Sequence, residues 1–190
     1  MEVKRVFLAI NLPPEVKQEL HRMLCLLRQN NPSPAFHWVR EEGIHLTLHF
    51  FGNLETDRIN RLTPLLKDFF ANYKGFTLAL DRFGCFPNEK NPRVFFIALQ
   101  PNAALLGMAN NLRKYLAGLS FEVESRPFQA HLTLARLDNY GSRTSIVENR
   151  ALWKFDFHSF PVESVELMES KLQRGGAVYS VVEKFRLEQT

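Results

Sequence analysis

Two short segments carry residues able to do acid–base chemistry at a shared spacing: His45-Leu46-Thr47-Leu48 and His131-Leu132-Thr133-Leu134. In a strand, alternate side chains leave on opposite faces. His45 and Thr47 then share one face while Leu46 and Leu48 turn to the other, and the same holds for His131 and Thr133 against Leu132 and Leu134. Two such strands related by a pseudo-twofold axis would set two imidazoles and two hydroxyls around one cleft. Histidine is available both as base and as acid near neutral pH. The hydroxyls can hydrogen-bond the non-bridging oxygens of a phosphodiester, holding phosphorus between the rings while water attacks opposite the departing oxygen. This chemistry requires no metal. Arg136 follows Thr133 by three residues, which in a regular strand is the opposite face; a strand end or a bulge would turn it toward phosphate. A lone histidine in an apolar strand is most often a packed or surface residue. Recurrence of the same polar pair opposite the leucines is what a packing role leaves unexplained.

The elements that must position these strands also recur. Arg5-Val6-Phe7-Leu8-Ala9-Ile10 resembles Arg93-Val94-Phe95-Phe96-Ile97-Ala98; Arg5 lies 40 residues before His45 and Arg93 lies 38 before His131. Each run reads as a strand closed by a Pro-containing turn that opens a helix. The first helix starts at Pro13-Pro14 and repeats Val16, Leu20, Met23, Leu24 and Leu27 on one face. The second runs from about Asn102 to Leu116 with Leu105, Met108, Ala109, Leu112 and Leu116. A polar turn and a short strand are expected after each helix. The pattern further predicts a helix around Thr56 to Tyr73, a strand from Phe76 to about Phe83, a loop over Phe86 to Pro92, loop plus a short helix over Asp138 to Arg150, strands near Phe155 to Phe157 and Val162 to Glu169, and a Gly175-Gly176 turn into Ala177 to Arg186. No linker divides the halves, so residues 1–190 read as one two-lobed domain with repeat units beginning near 5 and 93. The class is α+β: two pseudo-symmetric antiparallel sheets with helices packed outside.

Composition sets the bounds. The chain has 190 residues, 45% hydrophobic and 23% charged, which excludes disordered and low-complexity classes. Its 24 basic and 20 acidic side chains are spread evenly, 13 and 10 in residues 1–100 and 11 and 10 in the rest, so a phosphate site must be built by folding rather than supplied by a basic tail. Seventeen of 23 aromatic residues are Phe, enough to fill two small cores or to line a groove. Cys25 and Cys85 form no metal or disulfide pattern, and no signal-peptide core or membrane span is legible. The expectation is an unprocessed, monomeric cytoplasmic protein.

The paired motifs and their flanks resemble the two-histidine phosphoesterase superfamily, and within it the bacterial and archaeal RNA 2′,3′-cyclic phosphodiesterase family, historically called 2′-5′ RNA ligase. The resemblance spans nearly the whole chain. It rests on Arg5 to Ile10, Trp38-Val39 with His45 to Gly52, Phe83-Gly84-Cys85-Phe86-Pro87, Pro92-Arg93-Val94, Phe128 with His131 to Arg136, and Glu166-Leu167 to Ser170 with Gly176 and Tyr179. It implies a bilobal fold with a V-shaped central cleft that hydrolyses RNA 2′,3′-cyclic phosphate ends to 2′-phosphates without a cofactor. By the same resemblance His45 is the proton donor to the leaving 3′ oxygen and His131 the acceptor from water, Thr47 and Thr133 bind phosphate oxygens, and Arg136 assists. The assignment of acid and base rests on the resemblance alone, since a pseudo-symmetric pair does not label its members. RNA joining through a 2′-5′ linkage would use the same groups in reverse, and a non-catalytic RNA-end-binding module is the competing class. Whether a nucleotide such as ATP also enters the cleft stays open.

Phe50, Phe51, Phe128 and Tyr179 are the candidates for stacking on a terminal base, with core packing as the competing fate. His45 and His49 would stand about 13 Å apart along a strand, too far to share a metal. His49 would then lie near the cleft mouth or in solvent. His21, His37 and His158 are each alone, Arg93 opens the second repeat, and Cys25 falls on the apolar helix face. No GxGxxG or GxxxxGK[ST] nucleotide motif occurs.

Overall fold

The computed structural model describes residues 2–138, 159–173 and 176–189. In chain order the elements are β1 (Val3–Asn11), α1 (Pro14–Asn30), β2 (Phe36–Trp38), a 3-10 turn (Glu41–Gly43), β3 (His45–Glu55), α2 (Thr56–Phe70), β4 (Phe76–Phe86), β5 (Val94–Leu99), α3 (Ala103–Gly118), β6 (His131–Leu137), β7 (Ser159–Val162), β8 (Ser164–Gln173) and β9 (Gly176–Arg186). The fold is α+β. The helices form where the sequence repeats apolar residues at helical spacing, and they bury those stripes: Val16, Leu20, Met23, Leu24 and Leu27 on α1, Ile59, Leu62, Leu66 and Phe70 on α2, and Leu105, Met108, Ala109, Leu112 and Leu116 on α3. Pro14 stands in the first turn of α1, where no N–H is needed, and the Asn102 side chain caps α3 by accepting from the Leu105 N–H at 2.8 Å.

Among the described residues the pairings between these strands are all antiparallel, and the hydrogen-bonded path runs β7-β4-β5-β6-β3-β1-β8-β9, with β2 paired to β6 beside it. The order mirrors itself about β3 and β6, the two motif strands. One arm is β3-β1-β8-β9 and the other β6-β5-β4-β7. The two expected sheets are therefore joined into one curled sheet by a single pairing, Leu46 with Leu132. The arms do not coincide with the halves of the sequence, because β4 crosses to pair with β5 and β8 crosses to pair with β1.

Val6, Leu8 and Ile10 of β1, Leu46 of β3, and Leu132 of β6 point to the helix-covered face and join its core. The other face carries a second, smaller apolar cluster of Phe7, Ala9 and Met168 with Tyr179 packed against it. Burial on both faces is why residues 6–10 read as an unbroken apolar run. The short strand after the first helix is β2, whereas its expected counterpart after α3 is irregular chain over residues 121–130. β4 extends three residues past the expected Phe83, and the Phe86-Pro87 peptide that follows is cis. The segment expected to be loop and short helix lies beyond Asp138 outside the described residues, as do the strand near Phe155 to Phe157, His158 and Gly175. Among the described residues no helix is long and apolar enough to cross a membrane.

Candidate active site

The site is organised by the Leu46–Leu132 pair. Extending that antiparallel register by one residue to each side sets His45 across from Thr133 and Thr47 across from His131, at the roughly 4.5–5.5 Å typical of cross-strand Cβ neighbours. The two leucines are at most 1% exposed on the helix side, so all four polar side chains stand on the helix-free face. Flanking strands continue the ladder: Asn11 pairs with His45 and Ala9 with Thr47 on one arm, Ala98 with His131 and Phe96 with Thr133 on the other.

Just after each threonine the register slips. The β1 ladder passes from Ala9–Thr47 to Leu8–His49 and leaves Leu48 unpaired, while the β5 ladder passes from Phe96–Thr133 to Phe95–Ala135 and leaves Leu134 unpaired. A bulge at the same place in both motifs inverts the facing of the residues that directly follow it. Arg136 therefore pairs with Val94 on the histidine face, the placement that regular alternation denied it. The guanidinium is close enough to oppose protonation of His131. His49, which regular alternation placed with His45, instead turns to the core side opposite Leu8. There it meets Phe51 edge to face at 4.5 Å, and its Nε2 is buried without a hydrogen-bond partner. Desolvation lowers its pKa to about 4. Phe50 occupies the position on β3 that Arg136 occupies on β6. It pairs with Phe7, is 48% exposed, and carries the Arg5 guanidinium over its ring at 4.9 Å.

Both imidazoles are held by the backbone two residues upstream. His131 Nδ1 donates to the Gln129 carbonyl at 2.7 Å, and His45 hydrogen-bonds the Gly43 backbone. With the proton on Nδ1, the neutral His131 ring presents Nε2 as its basic atom. Both also sit against aromatic walls. Phe7 stacks on His45 at 4.8 Å and Tyr179 meets it edge-on at 5.3 Å, while Phe86 and Phe96 approach His131 edge-on at 5.0 and 5.4 Å. Gly84 makes room for that second wall, since a Cβ there would stand 2.6 Å from the Phe96 ring. The walls desolvate the rings. Burial pushes His45 down to about 4, with the Lys17 ammonium and His131 opposing its protonation further, and burial likewise lowers His131.

Asn11, beside His45, is fixed by donating to the Glu166 carboxylate and to the Met168 sulfur at 3.5 Å. Glu166 is buried and also pairs with Lys184 at 3.3 Å, so its charge is compensated. Phe128 and Phe51 are partly buried and pack against the main core. Tyr179 lies on the motif face against His45. Cys85 is buried and Cys25 half-buried, 3.6 Å from His21, which pairs with Glu41 at 2.7 Å; His37 pairs with Asp138 at 2.9 Å. Phe7, Gly43, Lys17, Phe86 and Phe96 are the site residues that sequence reasoning missed. Distance along the chain hides Phe7, Lys17, Phe86 and Phe96, and Gly43, two residues before His45, acts through its backbone, which residue type does not reveal.

The chain is 32% identical over 196 aligned positions to a protein of Thermus thermophilus named RNA 2′,3′-cyclic phosphodiesterase, covering 96% of this chain and 90% of that one. Among solved structures it resembles TT0787 of Thermus thermophilus, with a TM-score of 0.79, 28% identity, and coverage of 97% of this chain and 98% of the other. It also resembles Escherichia coli LigT complexed with 3′-AMP, with a TM-score of 0.75, 27% identity, and coverage of 98% and 99%. The model for the LigT like Phosphoesterase family matches residues 10–96 and again 97–179, each span containing one of the bulged histidine–threonine strands, and the chain belongs to that family.

Proposed function

We propose that the protein hydrolyses 2′,3′-cyclic phosphate ends of RNA to 2′-phosphates, with His45 as proton donor, His131 as proton acceptor and no metal ion. The observation that carries this reading is the Leu46–Leu132 pairing, which sets each imidazole beside the hydroxyl of the other motif on one open face. The phosphate would sit between the rings with its non-bridging oxygens on Thr47 and Thr133 and one edge toward Arg136. His131 Nε2 takes a proton from water as the water oxygen bonds to phosphorus. The bond from phosphorus to the 3′ oxygen breaks opposite it, and His45 gives that oxygen its proton. Water has then been added across one P–O bond, leaving a 2′-phosphate and a free 3′-hydroxyl. The charge of the substrate supplies what the free site lacks. His45 is neutral at pH 7 in the free protein, and an anionic phosphodiester against its ring favours the imidazolium.

The name of the Thermus relative and the 3′-AMP complex of the Escherichia coli protein support RNA ends and nucleotides as ligands. We read the chain as one duplicated domain, on the mirrored strand order and the crossing of β4 and β8, and its free thiols as fitting a reducing cytosol. The test is incubation with an RNA oligonucleotide ending in a 2′,3′-cyclic phosphate, in EDTA, followed by identification of the terminal phosphate. A 2′-phosphate is expected. An unchanged end that becomes hydrolysed only when a divalent ion is restored refutes the metal-free reading, and a 3′-phosphate refutes the assigned leaving oxygen.

A further inference from the structure

We propose that the ring of Tyr179 positions His45 for proton transfer rather than stacking on a substrate base. This deepens the reading of His45 as proton donor and rests on it. Tyr179 comes from β9, at the far end of the arm in pairing order, yet its ring stands 5.3 Å from His45 at an interplanar angle of 81° and 5.4 Å from Phe7 at the same angle. Phe7 in turn lies on His45 at 4.8 Å and 28°. The imidazole is thus held on one side by a stacked ring and against a second ring edge-on, while Phe7 and Tyr179 hold each other.

The third support is backbone. Gly43, whose backbone holds the His45 ring by a hydrogen bond, lies under Tyr179: a Cβ at that position would be 3.0 Å from Tyr179 Cε2 and 3.2 Å from Val39. Any side chain at 43 would press on Tyr179, and the same ring lies against both the imidazole and the residue that orients it. Met168 and the fully buried Ala9 complete the floor, joined with Phe7 in one cluster against which Tyr179 packs. An imidazole fixed at one nitrogen, stacked on one face and braced by a second ring beside that stack has its other nitrogen aimed without further cost in side-chain entropy. A ring so engaged is already in contact with both His45 and Phe7, whereas Phe50 on the same face is 48% exposed, with the Arg5 guanidinium over its ring.

The test compares Tyr179→Phe, Tyr179→Ala and wild type by two readouts: steady-state hydrolysis of an RNA oligonucleotide with a 2′,3′-cyclic phosphate end, and NMR titration of the histidine rings in the free protein. The phenylalanine variant keeps the ring and is expected to match wild type within about twofold in kcat. The alanine variant is expected to lose about tenfold or more in kcat with KM little changed, and to shift the His45 titration upward while that of His131, walled by Phe86 and Phe96, stays in place. His131 thereby reports that the alanine variant is still folded. A rise in KM with kcat unchanged, or a His45 titration identical in wild type and the alanine variant, overturns the proposal in favour of a substrate-stacking or merely structural ring. The NMR readout needs no turnover: a protein without phosphodiesterase activity would refute the catalytic reading and leave the effect of Tyr179 on His45 separately decided.

Discussion

At the scale of single residues, the proposed mechanism has burial raise the cost of charge on two histidines and an anionic substrate offset it. Burial lowers both His45 and His131, the former to about 4. The productive form of the free enzyme holds a proton on the donor and none on the acceptor, and its population peaks between the two macroscopic pKa values of the coupled pair. Both lie below the ordinary histidine value, so kcat/KM is expected to be greatest below about pH 6.5 and to fall as pH rises. The kcat profile, which reports the complex, is expected to extend to higher pH because bound phosphate raises the donor. A kcat/KM optimum at about pH 8 would contradict this. The same shifts act on stability. A histidine lowered from 6.5 to about 4 binds its proton more tightly when unfolded, so its contribution is full above pH 6.5 and is lost as pH falls toward 4. His49 adds to this loss without serving the site. His49→Phe is expected to keep hydrolysis and to flatten the fall in urea midpoint between pH 6.5 and 4; an unchanged acid slope would show that His49 is already solvated.

At the scale of elements, two matching bulges decide which residues the site receives. The duplicated His-x-Thr-x strands, the helices and the α+β class were legible from alternation and helical spacing, because those signals are local. The register slip after each threonine was not legible: Leu48 and Leu134 look like ordinary strand leucines, and only the β1 and β5 ladders show that they are passed over. That slip gives Arg136 to the cleft and takes His49 from it. Arg136→Gln is expected to lower kcat/KM by about 10²-fold, as for removal of a donor to developing phosphate charge, and to raise the His131 titration, since the guanidinium opposes its protonation. A rate loss with the His131 titration unmoved would show that Arg136 acts on substrate alone. The aromatic walls were largely hidden, because Phe7, Phe86 and Phe96 reach the histidines from strands far along the chain; Tyr179 was a candidate for the cleft, but its contact with His45 was not legible. Composition recorded only the surplus of Phe.

At the scale of the whole molecule, the crossed strands tie the two arms together, and the arms are expected to fold as one unit. β4 belongs to the first half of the sequence and β8 to the second, and each completes the other half's arm. Residues 2–92 alone would hold β1 and β3 without β8, and β4 without β5, so that fragment is expected to lack dispersed amide resonances in solution. A well-dispersed spectrum from the fragment would show that the arms fold apart. Closure of the arms at Leu46–Leu132 is what brings the two motifs into one site, and on that arrangement the two imidazoles are expected to act as a pair. The most direct measurement is single-turnover hydrolysis of a cyclic-phosphate RNA end by His45→Ala, His131→Ala and the double variant. Each single change is expected to lower the rate by about 10²–10⁴-fold, and the double variant to fall well short of the product of the two losses, as groups acting in one step do. Full activity in either single variant, or losses that multiply independently, would contradict the pairing.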